Sequence, residues 1–431
     1  MATDIVREVL QDIRTPLYKN AIFLIFNTIL VAGAGFLFWF VIARIYPVPE
    51  VGQALVLVSI ASFLAVLSQL GFGIGLIRFL PRTKSDKGKM INSCLTISTI
   101  ISLVLAVGIL ITIDVWFPGW RGFSLWALVP IFFLLVPMMV NAPIVDNTFV
   151  AGRRALFVLV RNSLYQSVRL VTPLILVVLL GVLGVLASLV FAHAVALSVA
   201  FFLLLPRLYP GFRPGPAIDR TVLNDIFHFS LGNHVGEVLH ALPYPVILII
   251  VSRFFGGAEH AAFFGIPWLI ASLLFAVPLM ASISLYAEGS HFEDRLYGDI
   301  RRIMRFMIPL LAVGILFIWF LGDWVLSLFG PSYAAEGFGL LRILAVSGIF
   351  VAANGLFLSV ARVKKWVKAI IVLMAYVALG TIVLSYFLIP ILGLEGAGVA
   401  WLIANGTSAS VVVAISLLKM RSHGRSLAAE A

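Results

Sequence analysis

Three polar residues recur every four positions near the start of one apolar stretch. At this spacing, Arg161, Tyr165 and Arg169 fall along one side of a helix. Arg169 lies about 12 Å further along the axis than Arg161. Because an Arg guanidinium can donate two hydrogen bonds to one phosphate, we interpret the three as a cationic ladder for phosphate. For Arg161 the alternative is a side chain that reaches the water interface.

A second polar stripe carries groups that can titrate. Asn233, Glu237 and His240 follow each other at steps of four and three residues, and His234 lies beside them. A neighbouring Glu and His can exchange protons near neutral pH, which suggests coupling of a process to protons. Binding of sugar hydroxyls and an inter-helix hydrogen-bond network are the alternatives. A single stripe offers too little support for a zinc site, so we expect no metal and no cofactor.

Further polar candidates are scattered among apolar segments. Arg78 ends an apolar run three residues before Pro81, where it could bind phosphate or serve only as a basic helix end. Asn27 and Asn405 are uncharged and suit either sugar binding or helix packing. Together with Asn233 and the ladder, these three residues complete the predicted substrate-binding set.

The elements that must position these residues are membrane helices. The chain is 62% hydrophobic and 11% charged, whereas soluble domains are about 45–50% apolar and about 25% charged. Apolar runs of about 20 residues, enough to cross a ~30 Å core, predict an all-α polytopic protein with about twelve spans. They lie near 20–43, 51–79, 91–116, 123–150, 163–183, 185–205, 229–252, 260–287, 303–328, 338–360, 367–390 and 395–418.

The positive charge follows this topology. Of 30 Lys and Arg residues, 25 fall on one side of the predicted membrane and four on the other, and Arg169 lies within a span. The positive-inside rule then predicts a plasma-membrane protein with both termini in the cytoplasm. The net charge of +11 therefore indicates anionic membrane lipids as partners, and we expect no nucleic-acid binding.

Five segments follow from the pattern. Residues 1–19 predict an amphipathic helix on the membrane surface, and residues 20–205 a first bundle of six helices. Residues 206–228, rich in Pro and Gly, form the predicted cytoplasmic linker. Residues 229–418 predict a second six-helix bundle, and 419–431 a cytoplasmic tail.

The two halves look like copies. Residues 43–50 and 252–259 both place an Arg after a small residue and a Glu six positions later, at an offset of 209. Gly181-Val182-Leu183-Gly184 likewise matches Gly393-Leu394-Glu395-Gly396 at an offset of 212. With six spans each, the copies would share one orientation, as in transporters with parallel repeats.

These motifs, with Gly71-Phe72-Gly73-Ile74-Gly75 and Phe329-Gly330-Pro331-Ser332-Tyr333, resemble the polysaccharide-flippase branch of the MOP superfamily. Its members are the Wzx-like transporters, related to lipid II flippases and MATE exporters. The resemblance implies two bundles around a central cavity that opens alternately to each face. It also implies a polyprenyl-(di)phosphate-linked glycan as cargo, with H⁺ or Na⁺ open as coupling ion. Such flippases often carry an Asp in span 7 shortly before the Arg-aromatic motif, but here Pro243-Tyr244-Pro245-Val246-Ile247 holds no acid.

Two other classes of function are the alternatives. A cation-coupled exporter of small amphiphiles, as in the MATE relatives, would need an acidic cavity, whereas the flippase would need a cationic one. A membrane enzyme of glycan assembly would need acidic residues in a sizeable outer loop, and the outer loops here are short. We therefore expect a flippase without enzymatic activity.

Overall fold

The computed structural model describes residues 16–83, 86–116, 125–219, 230, 234–291 and 296–429. In that part of the chain all regular structure is helical, as predicted. The chain divides into two compact units, Met1–Val238 and Leu239–Ala431. Most of the surface helix predicted at 1–19 lies outside the described residues. The predicted domain boundaries remain predictions.

The described part of the first unit contains seven helices up to residue 199. They are α1 (Pro16–Ile45), α2 (Val48–Gln69), α3 (Phe72–Phe79), α4 (Lys87–Trp116), α5 (Leu125–Ala151), α6 (Ala155–Leu180) and α7 (Val182–Val199). After α7 the chain continues through a π-helical turn, Ala200–Leu204, and a last α-helical turn, Leu205–Leu208. The predicted second span is broken at Leu70 and Gly71, which both adopt left-handed backbone angles.

The described part of the second unit contains six helices from residue 243 onward. They are α8 (Pro243–Phe255), α9 (Glu259–His291), α10 (Leu296–Ser327), α11 (Pro331–Val363), α12 (Val367–Leu392) and α13 (Glu395–Ala429). The chain is also helical from His234 to Ala241 and is interrupted at Leu242, just before Pro243. This break agrees with the sequence, because a Pro cannot donate the backbone hydrogen bond that would continue the helix. By contrast, Pro137 and Pro143 lie inside α5, which is not interrupted.

Eleven helices of the described residues are long and apolar enough to cross a membrane. They correspond to all predicted spans except the fifth, 163–183. That span is helical too, as part of α6, but it carries Arg161 and Arg169. The fold is therefore that of the predicted polytopic helical protein.

The repeat extends to backbone detail. The first and last residues of α12 have numbers 212 higher than those of α6, and the turns before the two helices are offset by the same number of residues. In those turns Arg153 and Lys365 both have positive φ, of 55° and 58°. The Arg154 amide donates to the Phe149 carbonyl at 2.9 Å, and the Trp366 amide donates to the Ala361 carbonyl at 2.7 Å. Both bonds close the end of the preceding helix in the same way.

Glycines repeat at the other end of these helices. Gly181 and Gly393 adopt nearly the same backbone angles, with φ of 53° and 66° and ψ of −135° and −148°. A Cβ on Gly184 would lie 2.7 Å from the Leu176 carbonyl oxygen, and a Cβ on Gly396 would collide with the carbonyl of Leu388. Glycine is needed at both because two backbone segments approach closely. The predicted internal repeat is confirmed at this level.

Each unit also packs its helices in the same way. In the first unit α6 packs on α1 and α7, and in the second α12 packs on α8 and α13. Likewise α5 packs on α2, α4 and α7, and α11 packs on α9, α10 and α13. The copies differ where α2 and α3 are separate, because α9 is continuous over the matching stretch.

Candidate functional site

A polar cluster joins three successive helices of the first unit. The connection between α5 and α6 is only three residues long, so the two helices form a tight hairpin. Asp146 on α5 lies seven residues before Arg153, the central residue of this turn, and Arg161 on α6 lies eight residues after it. The hairpin therefore brings an acid and a base face to face.

Arg161 and Asp146 form a two-pronged ion pair. Arg161 Nε donates to one oxygen of Asp146 at 2.6 Å, and Nη2 donates to the other at 2.7 Å. Asn162 joins them by accepting from Arg161 Nη2 at 2.6 Å and donating to Asp146 at 3.1 Å. The Arg161 side chain is only 4% exposed, so it does not extend to the water interface. Its charge is neutralised inside the unit.

Arg169 lies two turns further along α6 and has no carboxylate partner among the described residues. Its guanidinium carbon is 3.9 Å from the centre of the Phe38 ring and 5.8 Å from that of Tyr165. Nη1 makes a long hydrogen bond of 3.4 Å to Gln166, and the buried Nε has no hydrogen-bond partner within the described part of the chain. Cation–π contact therefore holds the arginine, and its Nε–H group can still donate a hydrogen bond to a ligand.

His193 on α7 closes the cluster. Its ring centre lies 4.3 Å from that of Tyr165, with the two planes tilted by 37°. The residue is buried, and its Nδ1 has no hydrogen-bond partner among the described residues. Together with Arg161 Nη1, which is also without one, the cluster offers several nitrogen atoms for a ligand. With two guanidinium groups and one carboxylate, its net charge favours an anion.

Of the predicted ladder, the structure thus brings together Arg161, Tyr165 and Arg169. Asp146, Phe38 and the contact of His193 with Tyr165 were not predicted from the sequence. Asp146 carried a usable signal, since an acid inside a predicted span is costly and needs a partner. Its similar distance from the turn would have pointed to Arg161. Phe38 carried no such signal, because aromatic residues are common in apolar helices.

The second predicted stripe is partly outside the described residues, because Asn233 lies there. His234 is buried and its Nε2 is 3.3 Å from the Leu67 carbonyl oxygen, while its Nδ1 is 3.8 Å from a Glu237 oxygen. The Glu237 side chain is 42% exposed, and His240 is also exposed. The acid therefore has a histidine neighbour, as the stripe suggested, but that neighbour is His234.

In the second unit the predicted Asn405 belongs to a buried amide network. Asn354 on α11 donates to the Asn405 side chain at 3.2 Å and to Ser408 at 2.8 Å. Asn405 in turn donates to the Trp401 carbonyl at 3.0 Å. Asn405 occupies the position matching His193, at an offset of 212. Both halves therefore place a polar residue at this point, but only the first half surrounds it with charge.

The other two candidates lie apart from the ladder along their helices. Arg78 is exposed near the end of α3, with its guanidinium 5.6 Å from the Phe79 ring centre. Asn27 on α1 precedes Phe38 by eleven residues, or about 16 Å along the helix. Its Oδ1 is buried and has no hydrogen-bond partner within the described residues.

The repeated Arg-to-Glu motifs are at helix ends. Glu50 and Glu259 lie in the first turns of α2 and α9, where a negative charge stabilises the helix dipole. Between α1 and α2, Tyr46 donates to the Pro173 carbonyl at 3.5 Å. Burial and the nearby charge of Glu50 raise the pKa of Tyr46 to about 12. Tyr46 is therefore a protonated donor that ties this corner to α6.

No group of three or more His, Cys, Asp or Glu residues in the described part of the chain could hold a metal ion. The cluster itself offers guanidinium, imidazole, phenol and amide groups. These groups bind anions and hydroxyls.

The sequence matches the family described as polysaccharide biosynthesis protein over residues 17–285. The chain belongs to this polysaccharide biosynthesis family. The match covers residues 17–238 of the first unit, including the polar cluster, and reaches into α9. The predicted membership of the MOP superfamily is thereby confirmed.

Relatives of the chain include an uncharacterized membrane protein of Methanocaldococcus jannaschii. The two are 23% identical over 94% of this chain and 99% of the relative. Among solved structures, an inward-facing multidrug resistance MATE family transporter of the MOP superfamily matches with a TM-score of 0.73 and 16% identity. That match covers 92% of this chain and 96% of the other.

An outward-facing structure of a MATE family transporter matches this family member with a TM-score of 0.64 and 16% identity, over 95% and 96% of the chains. These likenesses show that the chain has the MATE-type fold. Family and fold together support the predicted membrane transporter.

Proposed function

We propose that this protein flips a polyprenyl-(di)phosphate-linked glycan across the membrane by alternating access. The family description, polysaccharide biosynthesis protein, supports a glycan precursor as cargo. The transporter fold supports movement of the cargo and argues against chemical conversion. Moving a phosphate through an apolar layer requires a protein group that replaces its hydration.

The observation that carries this proposal is the state of Arg169. It is a guanidinium at membrane depth, stacked on Phe38 at 3.9 Å, without a carboxylate partner in the described chain. An unpaired cation in such a place is costly, and a phosphate ligand would offset that cost. Tyr165 lies close enough to donate its hydroxyl to the same ligand.

Arg161 has a different role in this proposal. Arg161 donates from two of its three guanidinium nitrogen atoms to Asp146. It therefore leaves Nη1 for the ligand, and its charge is neutralised by that of Asp146. The pair keeps the net charge of the cluster at one positive unit, which binds a phosphate without retaining it too tightly for release. Asn27, Arg78, Asn233 and Asn405 are proposed as contacts for the glycan or for the phosphate on its path.

For coupling we propose Glu237 with His234, and with His240 on the same stripe. His234 faces both the Leu67 carbonyl and Glu237, so protonation of either side chain alters this contact. Glu237→Gln should then reduce the response of transport to an imposed pH gradient. A variant that keeps the full response would point to Na⁺ or to uncoupled transport.

We further propose the cytoplasmic membrane as location, with both termini in the cytoplasm. The support is the asymmetric distribution of Lys and Arg along the sequence. Cysteine labelling of residues in the short loops from either side would test this orientation.

A MATE-like exporter of small amphiphiles is the second candidate, favoured by the structural likeness to multidrug transporters. Such an exporter needs an acid that is free to bind a cation. In the cluster of α5 and α6 the acid, Asp146, is occupied by Arg161 at 2.6 and 2.7 Å. This pairing favours an anionic cargo.

The deciding experiment is reconstitution into vesicles with a labelled polyprenyl-diphosphate oligosaccharide. We expect translocation by the wild-type protein and loss of most of it in Arg169→Ala. Arg82→Ala, which removes an exposed cation after α3, is the matched control and should transport normally. Export of amphiphilic cations without flipping of the glycan lipid would reject the proposal in favour of the exporter.

A further inference from the structure

Residues 209–219, which follow the last helical turn after α7, lie along one polar face of α4. Asn92 donates to the Arg213 carbonyl at 2.8 Å, the Ala217 amide donates to Thr96 at 3.1 Å, and the Asp219 amide donates to Ser93 at 3.0 Å. Phe212 is buried beside Gly88. Side chains of one helix thus satisfy the backbone of an extended segment that has no regular structure of its own.

This docking forms the wall of a pocket. The pocket has a volume of about 260 Å³ and is lined by α4, by the π-helical turn and by the docked segment. Its polar lining comes from Asn92, Thr96 and Thr99, and its apolar lining includes Ile100 and Phe201. π-Helical turns inside α-helices often mark functional sites. Here the turn presents Phe201 to the pocket.

The hydrogen bonds already present define what the pocket can bind. The Thr96 hydroxyl accepts from the Ala217 amide, and the Thr99 hydroxyl accepts from Asn141 at 2.9 Å. Neither hydroxyl donates to another group within the described residues. Since each hydroxyl carries one donor hydrogen, both can donate into the pocket. A ligand rich in acceptor oxygens suits them.

The surroundings indicate a ligand with one charged and one apolar end. On the same face of α4, Lys89 lies one turn before Asn92, with its side chain 55% exposed and 3.6 Å from Asp219. The lining residue Ile100 is 49% exposed, and Phe202, which follows the lining residue Phe201 in the chain, is 67% exposed. In a membrane protein, such exposed apolar side chains contact lipid.

We propose that this pocket binds the headgroup region of an anionic glycerophospholipid. The ester and phosphate oxygens of such a lipid would accept from Thr96 and Thr99, and its phosphate would lie toward Lys89. Drug-sized ligands need pockets of roughly 300–1,000 Å³. The smaller volume here fits a headgroup, while the acyl chains remain in the bilayer beside Ile100 and Phe202.

The bound lipid would also fix the docked segment, since both use the same face of α4. Lipid composition would then influence how tightly the docked segment binds to α4. This inference does not depend on the proposed cargo, because it concerns a different surface of the first unit.

The test measures lipid retained by the purified full-length protein in nanodiscs of phosphatidylcholine with increasing phosphatidylglycerol, by native mass spectrometry. Wild-type protein should retain phosphatidylglycerol preferentially. Thr96→Val/Thr99→Val should bind it at least roughly fivefold more weakly, the effect of one net hydrogen bond. Thr112→Val is the matched control, because this threonine of α4 bonds within its own helix.

A melting temperature for each variant separates loss of the lipid from loss of the fold. If the double variant does not fold, Lys89→Gln provides the second measurement, because the Lys89 side chain is 55% exposed and its loss should lower the preference for phosphatidylglycerol over phosphatidylcholine. Equal retention of the two lipids by wild-type protein would overturn the proposal. So would displacement of phosphatidylglycerol by equimolar polyprenyl phosphate, which would assign the pocket to the cargo.

Discussion

Arg161 and Asp146 face each other across the α5–α6 hairpin in a two-pronged ion pair with N–O distances of 2.6 and 2.7 Å. They lie seven residues before and eight residues after Arg153, the central residue of the turn. The pair explains why an arginine can be almost fully buried in an apolar bundle. It also leaves Arg169 as the cation of this cluster with no carboxylate partner in the described residues.

Breaking the Arg161–Asp146 pair from one side should destabilise the protein strongly. Asp146→Asn leaves the Arg161 charge buried without its counter-ion, which typically costs about 3–5 kcal/mol. The double variant Asp146→Asn/Arg161→Gln removes both charges and should regain a large part of that stability. Thermal unfolding in detergent measures all four combinations as a double-mutant cycle. Additive effects of the two substitutions would show that the pair is not an energetic unit.

Phe38 should control the strength of cargo binding through Arg169. Phe38→Leu removes the aromatic face at 3.9 Å from the guanidinium, and cation–π contacts contribute about 0.5–2 kcal/mol. We expect the apparent KM for the glycan lipid to rise several-fold. Phe132→Leu, another fully buried phenylalanine of the same unit, should cost similar stability and leave KM unchanged. A similar KM in both variants would mean that Phe38 is only a packing residue.

The repeated glycines should be equally intolerant of a methyl group. In Gly184→Ala and Gly396→Ala the new Cβ would meet a backbone carbonyl eight residues earlier, on Leu176 and Leu388. Backbone cannot move aside as a side chain can, so both variants should melt at clearly lower temperature. Gly108→Ala is the control, because nothing lies within 4 Å of its Cβ position. A normal melting temperature for Gly396→Ala would contradict the close approach.

Tyr46 should make stability depend on alkaline pH. Its pKa is raised from 10 to about 12 in the folded protein, so the folded state favours the protonated phenol. That contribution is complete below about pH 10 and is lost as the pH rises through about 12. Two pKa units correspond to about 2.7 kcal/mol. Raising the pH from 8 to 11 should therefore reduce the stability advantage of wild type over Tyr46→Phe, as measured by thermal unfolding. An advantage that stays constant would argue against this shift.

The sequence alone determined the membrane helices and the duplication. Apolar runs of sufficient length can only be satisfied as helices in a bilayer, so the predicted spans and the described helices agree closely. The repeat was visible in Gly181 and Gly393 because their backbone angles exclude most other residues. Such constraints are local, and a sequence records local constraints directly.

Tertiary structure decided which polar groups meet. The sequence showed the spacing of Arg161, Tyr165 and Arg169 on one helix, but only packing brought Asp146, Phe38 and His193 against them from three other helices. The docking of the segment after α7 onto α4 was hidden for the same reason. Helical spacing fixes the neighbours within a helix, whereas contacts between helices depend on their rotation and depth. These depend on side-chain packing over the whole unit.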